Sequence, residues 1–390
     1  MRSDGSLIPQ LKACEMANAW MSRPFMSHIW PKHESSFSAE LRNAALAYLR
    51  DTGDHRFANA RQWLKVGILC VAACGAVMVA ISAKNRWVFA AGYAGFVMLV
   101  ALLGINVMHD AAHGALFDPA RFSVVTARRL HAWLSRAITL PLGVEAEYWR
   151  VRHVEFHHAF TNIARLDLDL EESFLIRQAP FQNRQRHHRY QHMYWPLLAG
   201  FGMFYVGWVL DWSDRLGKTP VRARSSLQGG RGWMVFMGTK LAHVTLMLAL
   251  PAWAVHHAGI SWGVVISAYV ASQMLASYFI IGMLIGTHWA GVSFYREPQG
   301  TTMPHGWREH GLFTAVDWVP NPRWLGYWLG GLHRHATHHL FPTWHHRHYE
   351  RLAALIAPIA AQHGLPFREL AHHELMAAQW NFLKEMGQAR

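Results

Sequence analysis

Cysteine and charge are both scarce in this sequence, and each shortage excludes a class of protein. Only three of the 390 residues are cysteines, and none forms a Cys-x-x-Cys pair. A disulfide framework and a cysteine-ligated zinc or iron–sulfur site are therefore not expected. Charged residues make up 16% of the chain against 52% hydrophobic residues, which favours one membrane-embedded domain over two or three soluble ones. The cysteines are Cys14, Cys70 and Cys74.

Targeting and nucleophile motifs are also missing. The first 25 residues contain no continuous apolar core, so no signal peptide is predicted. The sequence has no Gly-x-Ser-x-Gly motif, no cysteine–histidine pairing pattern and no phosphate loop. The chain therefore offers no obvious nucleophile.

The charged residues that are present are mostly basic, with a formal net charge of +13. Lys and Arg crowd residues 184–189 and 218–231. A basic chain often binds nucleic acid, but Lys and Arg also stay on the cytoplasmic side of membrane spans. We therefore expect membrane lipids and no nucleic acid as partners. The excess also suits an acidic partner or a phosphorylated carrier.

Four hydrophobic runs are long enough to cross a bilayer, which takes about 20 apolar residues in a helix. They are residues 62–82, 88–108, 233–255 and 262–286. A tight turn joins the first pair, and residues 256–261 join the second pair, so two hairpins are predicted. Of 37 Lys and Arg, only Lys84 and Arg86 fall in the outer loops. This bias predicts that both termini and most of the chain are cytoplasmic.

Histidine is abundant, with 28 residues, and three clusters of it stand out. The first box is His109-Asp-Ala-Ala-His113, the second is His153-Val-Glu-Phe-His157-His158, and the third is His335-Ala-Thr-His338-His339. A lone His-x-x-x-His pair arises about twice by chance at this frequency, and we assign His188 and His192 to that class. The longer boxes are much rarer by chance, so they predict a site.

The spacing of the boxes predicts a metal centre. Residues i, i+3 and i+4 share one helix face, so the three histidines of the third box are expected to point at one centre. Neutral imidazole suits iron, zinc or copper rather than magnesium or calcium. Eight ligands are too many for one ion and suit two neighbouring ions. His288, just past the fourth span and at the depth of His109, is the ninth candidate ligand.

Other polar residues receive roles from their positions. Ligand histidines usually donate their second N–H to a carboxylate or a carbonyl, and five nearby carboxylates are candidates: Asp110, Glu155, Asp167, Asp169 and Asp317. Nine further histidines are predicted to be exposed or interfacial. They are His187, His188, His256, His257, His345, His346, His348, His372 and His373. Within the third span, Lys240 is expected to extend its ammonium to the cytoplasmic surface.

Two shorter apolar runs are predicted not to cross the membrane. Residues 124–142 place apolar side chains at helical spacing with arginines between them, which is typical of an amphipathic helix on the membrane surface. Residues 195–210 are apolar but short. A crossing there would separate the third box from the first two, so we predict an interfacial segment.

Together these features predict an all-α integral membrane protein with four transmembrane helices in two hairpins. A cytoplasmic histidine-rich cap holds a di-metal site. We divide the chain into an N-terminal cytoplasmic segment (1–60), a membrane domain (61–370) and a C-terminal cytoplasmic helix (371–390).

A saturated C–H bond resists acid–base and nucleophilic catalysis, but non-haem iron with dioxygen attacks it by one-electron chemistry. A metal site at the bilayer edge suits an acyl chain.

The boxes in their context resemble those of the membrane fatty acid desaturase family over roughly residues 60–370. The matching stretches are Asn106-Val-Met-His109-Asp110-Ala-Ala-His113-Gly114, Trp149-x-x-x-His153-x-x-x-His157-His158-Ala-Phe-Thr161-Asn162 with Asp167-Leu-Asp169, Gln191-His-Met-Tyr-Trp-Pro-Leu-Leu, and Gly330-Gly331-Leu332-x-x-His335-x-x-His338-His339-Leu340-Phe341-Pro342. His288 falls where that family has a lone histidine after its last span. His335 stands where related sequences often have Gln, which bears on regioselectivity.

This resemblance implies a di-iron centre, dioxygen as oxidant and two electrons from an external donor. It also implies removal of two hydrogens from a fatty acyl chain carried by a lipid, coenzyme A or acyl carrier protein. Neither end of the sequence has a His-Pro-Gly-Gly haem motif, so we expect a separate ferredoxin-like or cytochrome-type donor. The expected location is a bacterial inner membrane, with the active site on the cytoplasmic side.

Two alternatives stay open from the sequence. Hydroxylases, acetylenases and ketolases share this scaffold and these boxes, and only product analysis separates them. A histidine-rich metal transporter would want ligands along a path at mid-membrane. The boxes here fall at or beyond the ends of the spans, which disfavours transport.

Overall fold

The computed structural model describes residues 29–300 and 302–388. In chain order its helices are α1 (Ser36–Thr52), α2 (Ala60–Ile81), α3 (Arg86–Ala112), α4 (Val124–Thr139), α5 (146–160), α6 (Arg186–Gly200), α7 (Gly202–Arg215), α8 (Val221–Arg224), α9 (Gly229–Ala258), α10 (Trp262–His288), α11 (Trp307–Thr314), α12 (His335–Leu340), α13 (Tyr349–Gln362) and α14 (His372–Gln388). Residues 1–28 of the predicted N-terminal segment, with Cys14, lie outside the described residues. So do the last two residues of the predicted C-terminal segment.

Four helices, α2, α3, α9 and α10, are long and apolar enough to cross a membrane, which confirms the four predicted spans. They form two hairpins. The Asn85 side chain accepts hydrogen bonds from the backbone N–H groups of Trp87 and Val88, so it caps α3 directly after α2 ends. Gly259, with φ +70°, terminates α9 in the left-handed conformation that glycine adopts without strain.

Small residues let the first hairpin close tightly. A Cβ atom on Gly92 of α3 would lie 2.7 Å from the backbone nitrogen of Ala80 in α2. On its other side α3 packs against α10, where Phe89 and Val97 share a buried apolar cluster with Val265. Close backbone approach is how membrane helices gain packing energy without a hydrophobic driving force. The result is a rigid apolar support for the end of α3, where the first box lies.

Two helices contain a turn of π-helix directly at the histidines. In α3 this turn spans Gly104–Met108, just before His109. In α5 it spans Val151–His157 and carries most of the second box. A π-turn adds one residue to a helical turn and is frequent at functional sites. Both turns therefore set the direction in which the following histidines point.

Helices α6 and α7 meet at 71°, so they form a bent pair rather than a straight span. Near the start of the pair, in α6, the Gln191 side chain donates to the backbone oxygen of Leu383 in α14 at 2.8 Å. At its end, Arg215 donates to the Tyr148 hydroxyl of α5 at 3.1 Å. Both ends thus contact the histidine-bearing end of the bundle, so the pair returns to the side where it begins. This supports the predicted interfacial segment.

Lys240 of α9 does not extend to the surface, so that prediction was wrong. Its ammonium is buried and donates to Asp211 at 2.6 Å and to the backbone oxygens of Gly143 and Gly207 at 2.7 and 2.6 Å. These three acceptors satisfy the three N–H donors of an ammonium. The ion pair therefore joins α9 to α7 and to the turn before α5, whereas snorkelling would leave Asp211 buried and unpaired.

Short strands and peripheral helices complete the end of the molecule that carries the histidines. β1 (Asp317–Val319) and β2 (Glu369–Ala371) pair in parallel, a small addition to the predicted helical fold. Helix α1 packs on α13 through a buried cluster that includes Leu41 and Leu352. Helix α4 confirms the predicted amphipathic helix, with Trp133 largely exposed.

Candidate metal centre

The structure brings all nine candidate histidines together at the end of the bundle. They fall into two groups, and the side-chain nitrogens within each group all lie within 4.8 Å of one another. The first histidine group consists of His109, His113, His153, His158 and His338, and the second consists of His157, His288, His335 and His339. All nine are buried or half-buried. The nine histidines predicted as ligands thus lie together in the structure, in two groups.

The first histidine group draws on three segments of the chain: the end of α3, α5 and α12. The Nε2 atom of His153 lies 3.2 Å from Nε2 of His109 and 3.2 Å from Nε2 of His158. His338, from α12, brings its Nε2 within 2.9 Å of Nε2 of His158. His113 follows α3 directly, and its ring centroid lies 4.5 Å from that of His158. The long α3 helix and the short α12 helix thus meet across the second box.

The second histidine group is equally tight. The Nε2 atoms of His288 and His335 are 2.7 Å apart, and those of His335 and His339 are 3.3 Å apart. His157 joins them, with its ring centroid 4.8 Å from that of His288. His288 is the last residue of α10, so the fourth span contributes to the second group. The second span, α3, contributes His109 to the first group.

The first box keeps His109 and His113 in one group, but the prediction that the third box points at one centre was wrong. Both later boxes are divided between the two groups. His153 and His158 join the first group, whereas His157 joins the second. In the π-turn a residue aligns with the fifth residue after it, so His158 returns to the face of His153. The third box divides as well, with His338 in the first group. Because α5 and α12 each contribute histidines to both groups, the backbone of these helices fixes the position of one group relative to the other.

The hydrogen bonds of two histidines in the second group, His288 and His157, indicate where a ring proton lies. Nδ1 of His288 lies 2.9 Å from the backbone oxygen of Thr314, so Nδ1–H donates and Nε2 keeps its lone pair. Nδ1 of His157 lies 3.2 Å from both carboxylate oxygens of Asp167, so its Nδ1–H donates as well. A cation between Nε2 of His288 and Nε2 of His335, which are 2.7 Å apart, would bind both nitrogens.

The distances fit a metal ion with nitrogen ligands. Two nitrogens bound at about 2.1 Å and at right angles are about 3 Å apart, as are the Nε2 pairs in both groups. Imidazole nitrogens suit iron, zinc or copper. The residues present therefore fit a pair of transition-metal ions, one in each histidine group.

Burial keeps most of these rings neutral, as metal ligation requires. It lowers the pKa values of His158, His338 and His339 well below their usual range, and the neighbouring histidines add to the effect. His157 differs. Burial lowers its pKa, but the Asp167 carboxylate outweighs burial and raises the pKa to about 9.

Two predicted carboxylates hold His157. Asp167 accepts from its Nδ1 and also from the backbone N–H groups of Asn162 and Asp169, so the carboxylate is fixed from three directions. Asp169 lies farther away, with its Oδ2 atom 3.6 Å from Nδ1 of His157. Desolvation and the Asp167 charge raise the pKa of Asp169. Asp167 is therefore the principal partner of this ring.

Asp317 supports the third box without touching its histidines. Its carboxylate accepts from the backbone N–H of Thr337 at 3.0 Å and from the Thr337 hydroxyl at 2.7 Å. Thr337 lies in the first turn of α12, where backbone N–H groups lack partners within the helix. Asp317 therefore fixes the start of the helix that carries the third box.

Glu155 was predicted to support the histidines, but its ion pairs are with arginines. Its carboxylate pairs instead with Arg150 at 3.2 Å and with Arg224 at 3.8 Å. Glu155 follows His153 by two residues, and residues two apart on a helix do not face the same way. It faces the arginines on the other side of α5.

The exposed roles predicted for His345, His346 and His348 were wrong. All three are buried. Nδ1 of His346 donates to Asp110 at 2.6 Å, and Nε2 of His345 lies 3.3 Å from the same carboxylate. Nδ1 of His348 lies 3.0 Å from the Tyr48 hydroxyl. A turn that looks polar in the sequence is thus packed between α1, α2 and the first box.

Asp110, His345 and His346 are close enough to suggest a third metal site, but their contacts explain them without an ion. Lys65 of α2 donates from Nζ to Nε2 of His346 at 2.9 Å, which uses the remaining ring nitrogen. The buried ammonium also disfavours a cation nearby. Asp110 is thereby held at the first box, with its Oδ1 atom 3.8 Å from Nδ1 of His109. We call these four residues the Asp110 cluster: Lys65, Asp110, His345 and His346.

Other partners of the histidines were not predicted from the sequence. The Tyr349 hydroxyl lies 2.8 Å from Nδ1 of His338, and the Thr161 hydroxyl lies 3.2 Å from Nδ1 of His339. In the sequence, the only sign that Thr161 would contact a histidine was its position shortly after the second box. The exposure predicted for His188 was wrong: it is buried, and its Nε2 lies 3.0 Å from the backbone oxygen of Phe174, outside both histidine groups. The exposure predicted for His256, His257, His372 and His373 is confirmed, and His187 is half-buried.

Comparison with known proteins identifies a family and related sequences that cover most of the chain. The sequence model of the family described as fatty acid desaturase matches residues 85–371. The chain is 25% identical over 361 residues to an sn-1 linoleoyl-lipid 6-desaturase of Arthrospira platensis, covering 90% of this chain and 92% of the relative. An acyl-lipid (8-3)-desaturase of Physcomitrium patens is 26% identical over 285 residues, and a probable Delta(5) fatty acid desaturase C of Dictyostelium discoideum is 24% identical over 298 residues. These matches cover 72% and 74% of this chain but only 56% and 61% of the two relatives.

Proposed function

Since the chain belongs to the fatty acid desaturase family, we propose that it is a dioxygen-dependent di-iron desaturase that introduces a double bond into a fatty acyl chain. The observation that carries the proposal is the pair of buried histidine groups with converging Nε2 atoms. The relatives are described as acyl-lipid or fatty acid desaturases, which supports an acyl lipid as the substrate. The same histidines are the proposed iron ligands.

The metal is proposed to be iron because the chemistry requires a redox ion. Two iron ions with dioxygen would supply the one-electron chemistry that removes hydrogen from unactivated methylenes. Overall, two hydrogens from adjacent methylenes, two external electrons and two protons reduce one dioxygen to two waters and leave a carbon–carbon double bond. Zinc would bind the same nitrogens but carries no redox chemistry.

The residues of this chain supply position and orientation rather than acid–base catalysis. Asp167 and the backbone oxygen of Thr314 fix the rings of His157 and His288 so that each Nε2 faces the second group. Tyr349 does the same for His338 in the first group. Such partners commonly change metal affinity about 10–100-fold when they are lost. Burial of both groups excludes bulk water from the proposed ions.

The positions of the spans support a cytoplasmic site. The outer ends of both hairpins carry only Lys84 and Arg86 among the basic residues, and all three boxes lie at the opposite end. We propose that this end faces the cytoplasm of a bacterial cell, at the inner membrane. There a separate ferredoxin-like or cytochrome-type protein supplies the electrons.

Product analysis tests the proposal. The chain is expressed in a host with simple membrane lipids, and its total fatty acids are compared by mass spectrometry with those of a host that expresses His338→Ala. We expect a new unsaturated fatty acid with the wild-type chain alone. A hydroxylated, acetylenic or keto product would contradict desaturation and identify the related chemistry instead.

A further inference from the structure

A cavity of about 350 Å³ lies beside the Asp110 cluster, and Lys65 and His346 of that cluster line it. Its walls come from the start of α2, from the residues around the turn Arg323–Tyr327, and from the residues that flank the third box. Cations dominate the charged side chains of the lining, with only two carboxylates among them. The cations are Arg61, Lys65, Arg323, Arg334 and Arg347.

Two of these cations are already neutralised. Arg334 pairs with Glu350 at 2.6 Å and with Glu369 at 2.6 Å, which accounts for both carboxylates of the lining. Arg347 pairs with Asp54 at 2.6 Å. The positive charge that remains in the cavity therefore comes from the other three side chains.

Arg61, Lys65 and Arg323 have no carboxylate within ion-pair distance anywhere in residues 29–300 and 302–388. Lys65 is only 1% exposed, and its ammonium contacts Nε2 of His346 and the backbone oxygen of Tyr327. An ammonium has three N–H donors, so one remains beyond these two contacts. Asp110 reaches Lys65 only through His346, and a buried cation that no carboxylate contacts directly is costly. The cavity thus favours an anionic group that all three side chains surround.

Neutral polar groups in the lining also lack partners. Across the described part of the chain, neither Oε1 of Gln62 nor Nδ1 of His333 has a hydrogen-bond partner, although both side chains are buried. Buried polar atoms are usually satisfied by protein, water or ligand. Both side chains line the same cavity as the three cations. Their free atoms indicate a polar occupant.

The cavity lies at the depth of lipid head groups. Arg61 and Gln62 are in the first turn of α2, which is one of the membrane-crossing helices, and Lys65 follows one turn later. Trp324, 64% exposed, lies at the rim, as aromatic side chains do at the membrane–water interface. An occupant that belongs to the membrane therefore fits better than one that arrives from solution.

We propose that this cavity binds the phosphate of a phospholipid whose acyl chain is the substrate. Arginine and lysine bind phosphate through short charge-assisted hydrogen bonds, and the fork of an arginine suits it best. This assignment rests on the proposed function, because it names the lipid that presents the acyl chain. It selects a membrane phospholipid over a coenzyme A thioester, which carries phosphate as well.

Binding is measured by titration calorimetry on the full chain in detergent, without dioxygen or reductant. The probes are dihexanoyl phosphatidylglycerol, dihexanoylglycerol (which lacks the phosphate) and coenzyme A. The wild-type chain should bind the phospholipid about tenfold more tightly than the diacylglycerol, and Arg61→Gln/Arg323→Gln should remove this difference. Arg128→Gln/Arg129→Gln, which alters two exposed arginines of α4, should leave it intact. Because Arg61 and Arg323 are exposed, folding should be unaffected, and equal melting temperatures verify this.

Three results would overturn the assignment. These are equal phospholipid affinity in the wild type and the Arg61→Gln/Arg323→Gln variant, an equal loss in the α4 variant, or binding of coenzyme A in place of the phospholipid. A chain that binds the phospholipid but forms no double bond contradicts the proposed function alone. A chain that forms double bonds without phospholipid binding contradicts the cavity assignment alone.

Discussion

Nδ1 of His346 donates to the Asp110 carboxylate at 2.6 Å, across 236 positions of the chain. This bond connects the first box to the turn before α13. Lys65 of α2 extends the connection through Nε2 of His346. Three parts of the chain that are distant in sequence thereby meet directly behind His109.

Replacing His346 should destabilise the protein. His346→Ala leaves Asp110 and Lys65 buried without their shared partner, which costs about 2–5 kcal/mol. We expect a clearly lower melting temperature and reduced iron content in purified protein. His256→Ala, at an exposed position in the second hairpin, is the matched control and should change neither. An unchanged melting temperature for His346→Ala would show that the Asp110 cluster contributes nothing to stability.

The metal content follows from the two histidine groups. Purified protein should carry close to two iron ions per chain by elemental analysis. His288→Ala removes a candidate ligand of the second group only, so it should lower the content toward one ion. His338→Ala should do the same through the first group and abolish activity. An active preparation that contains zinc alone would contradict the di-iron proposal.

Asp167 and Glu155 provide a matched pair of carboxylates close to the second box. Asp167→Asn removes the charge that holds His157, so iron affinity should fall about 10–100-fold. Glu155→Gln removes the charge that pairs with Arg150 and Arg224 and should keep wild-type iron affinity. Competition with a chelator measures both affinities. Equal affinities in the two variants would mean that the contact at Nδ1 of His157 does not support a metal.

The membrane topology can be tested by labelling single cysteines in intact cells and in inverted vesicles. Cysteines placed at Asn85 and Gly259 should react from the outer side, because these residues join the helices of the two hairpins. Cysteines at Arg189 and Lys218, near the two ends of the bent pair, should react from the cytoplasmic side. Labelling of Arg189 and Lys218 positions from opposite sides would mean that α6 and α7 cross the membrane.

Much of this arrangement could be predicted because it is local in sequence. The spans follow from the length of apolar runs, and the box histidines follow from their spacing. Asp167 was identified as a partner because it follows the second box closely along the chain. Long-range pairs such as Lys240 with Asp211 could not be predicted, because no local pattern shows which buried carboxylate a lysine within a span will meet. The exposure expected of His346 failed for the same reason.

Because of the π-turn at Val151–His157, the ligands of the two proposed ions are placed correctly only if α5 keeps its exact number of residues. The π-turn corresponds to one residue inserted into an α-helix, and this insertion rotates all later side chains about the helix axis. Deleting a single residue there would restore the ordinary helix and turn His157 and His158 by about 100° relative to His153. No side chain would be lost from the boxes, yet both ions would lose ligands together. Along this helix, the number of residues is as strict a requirement as their identity.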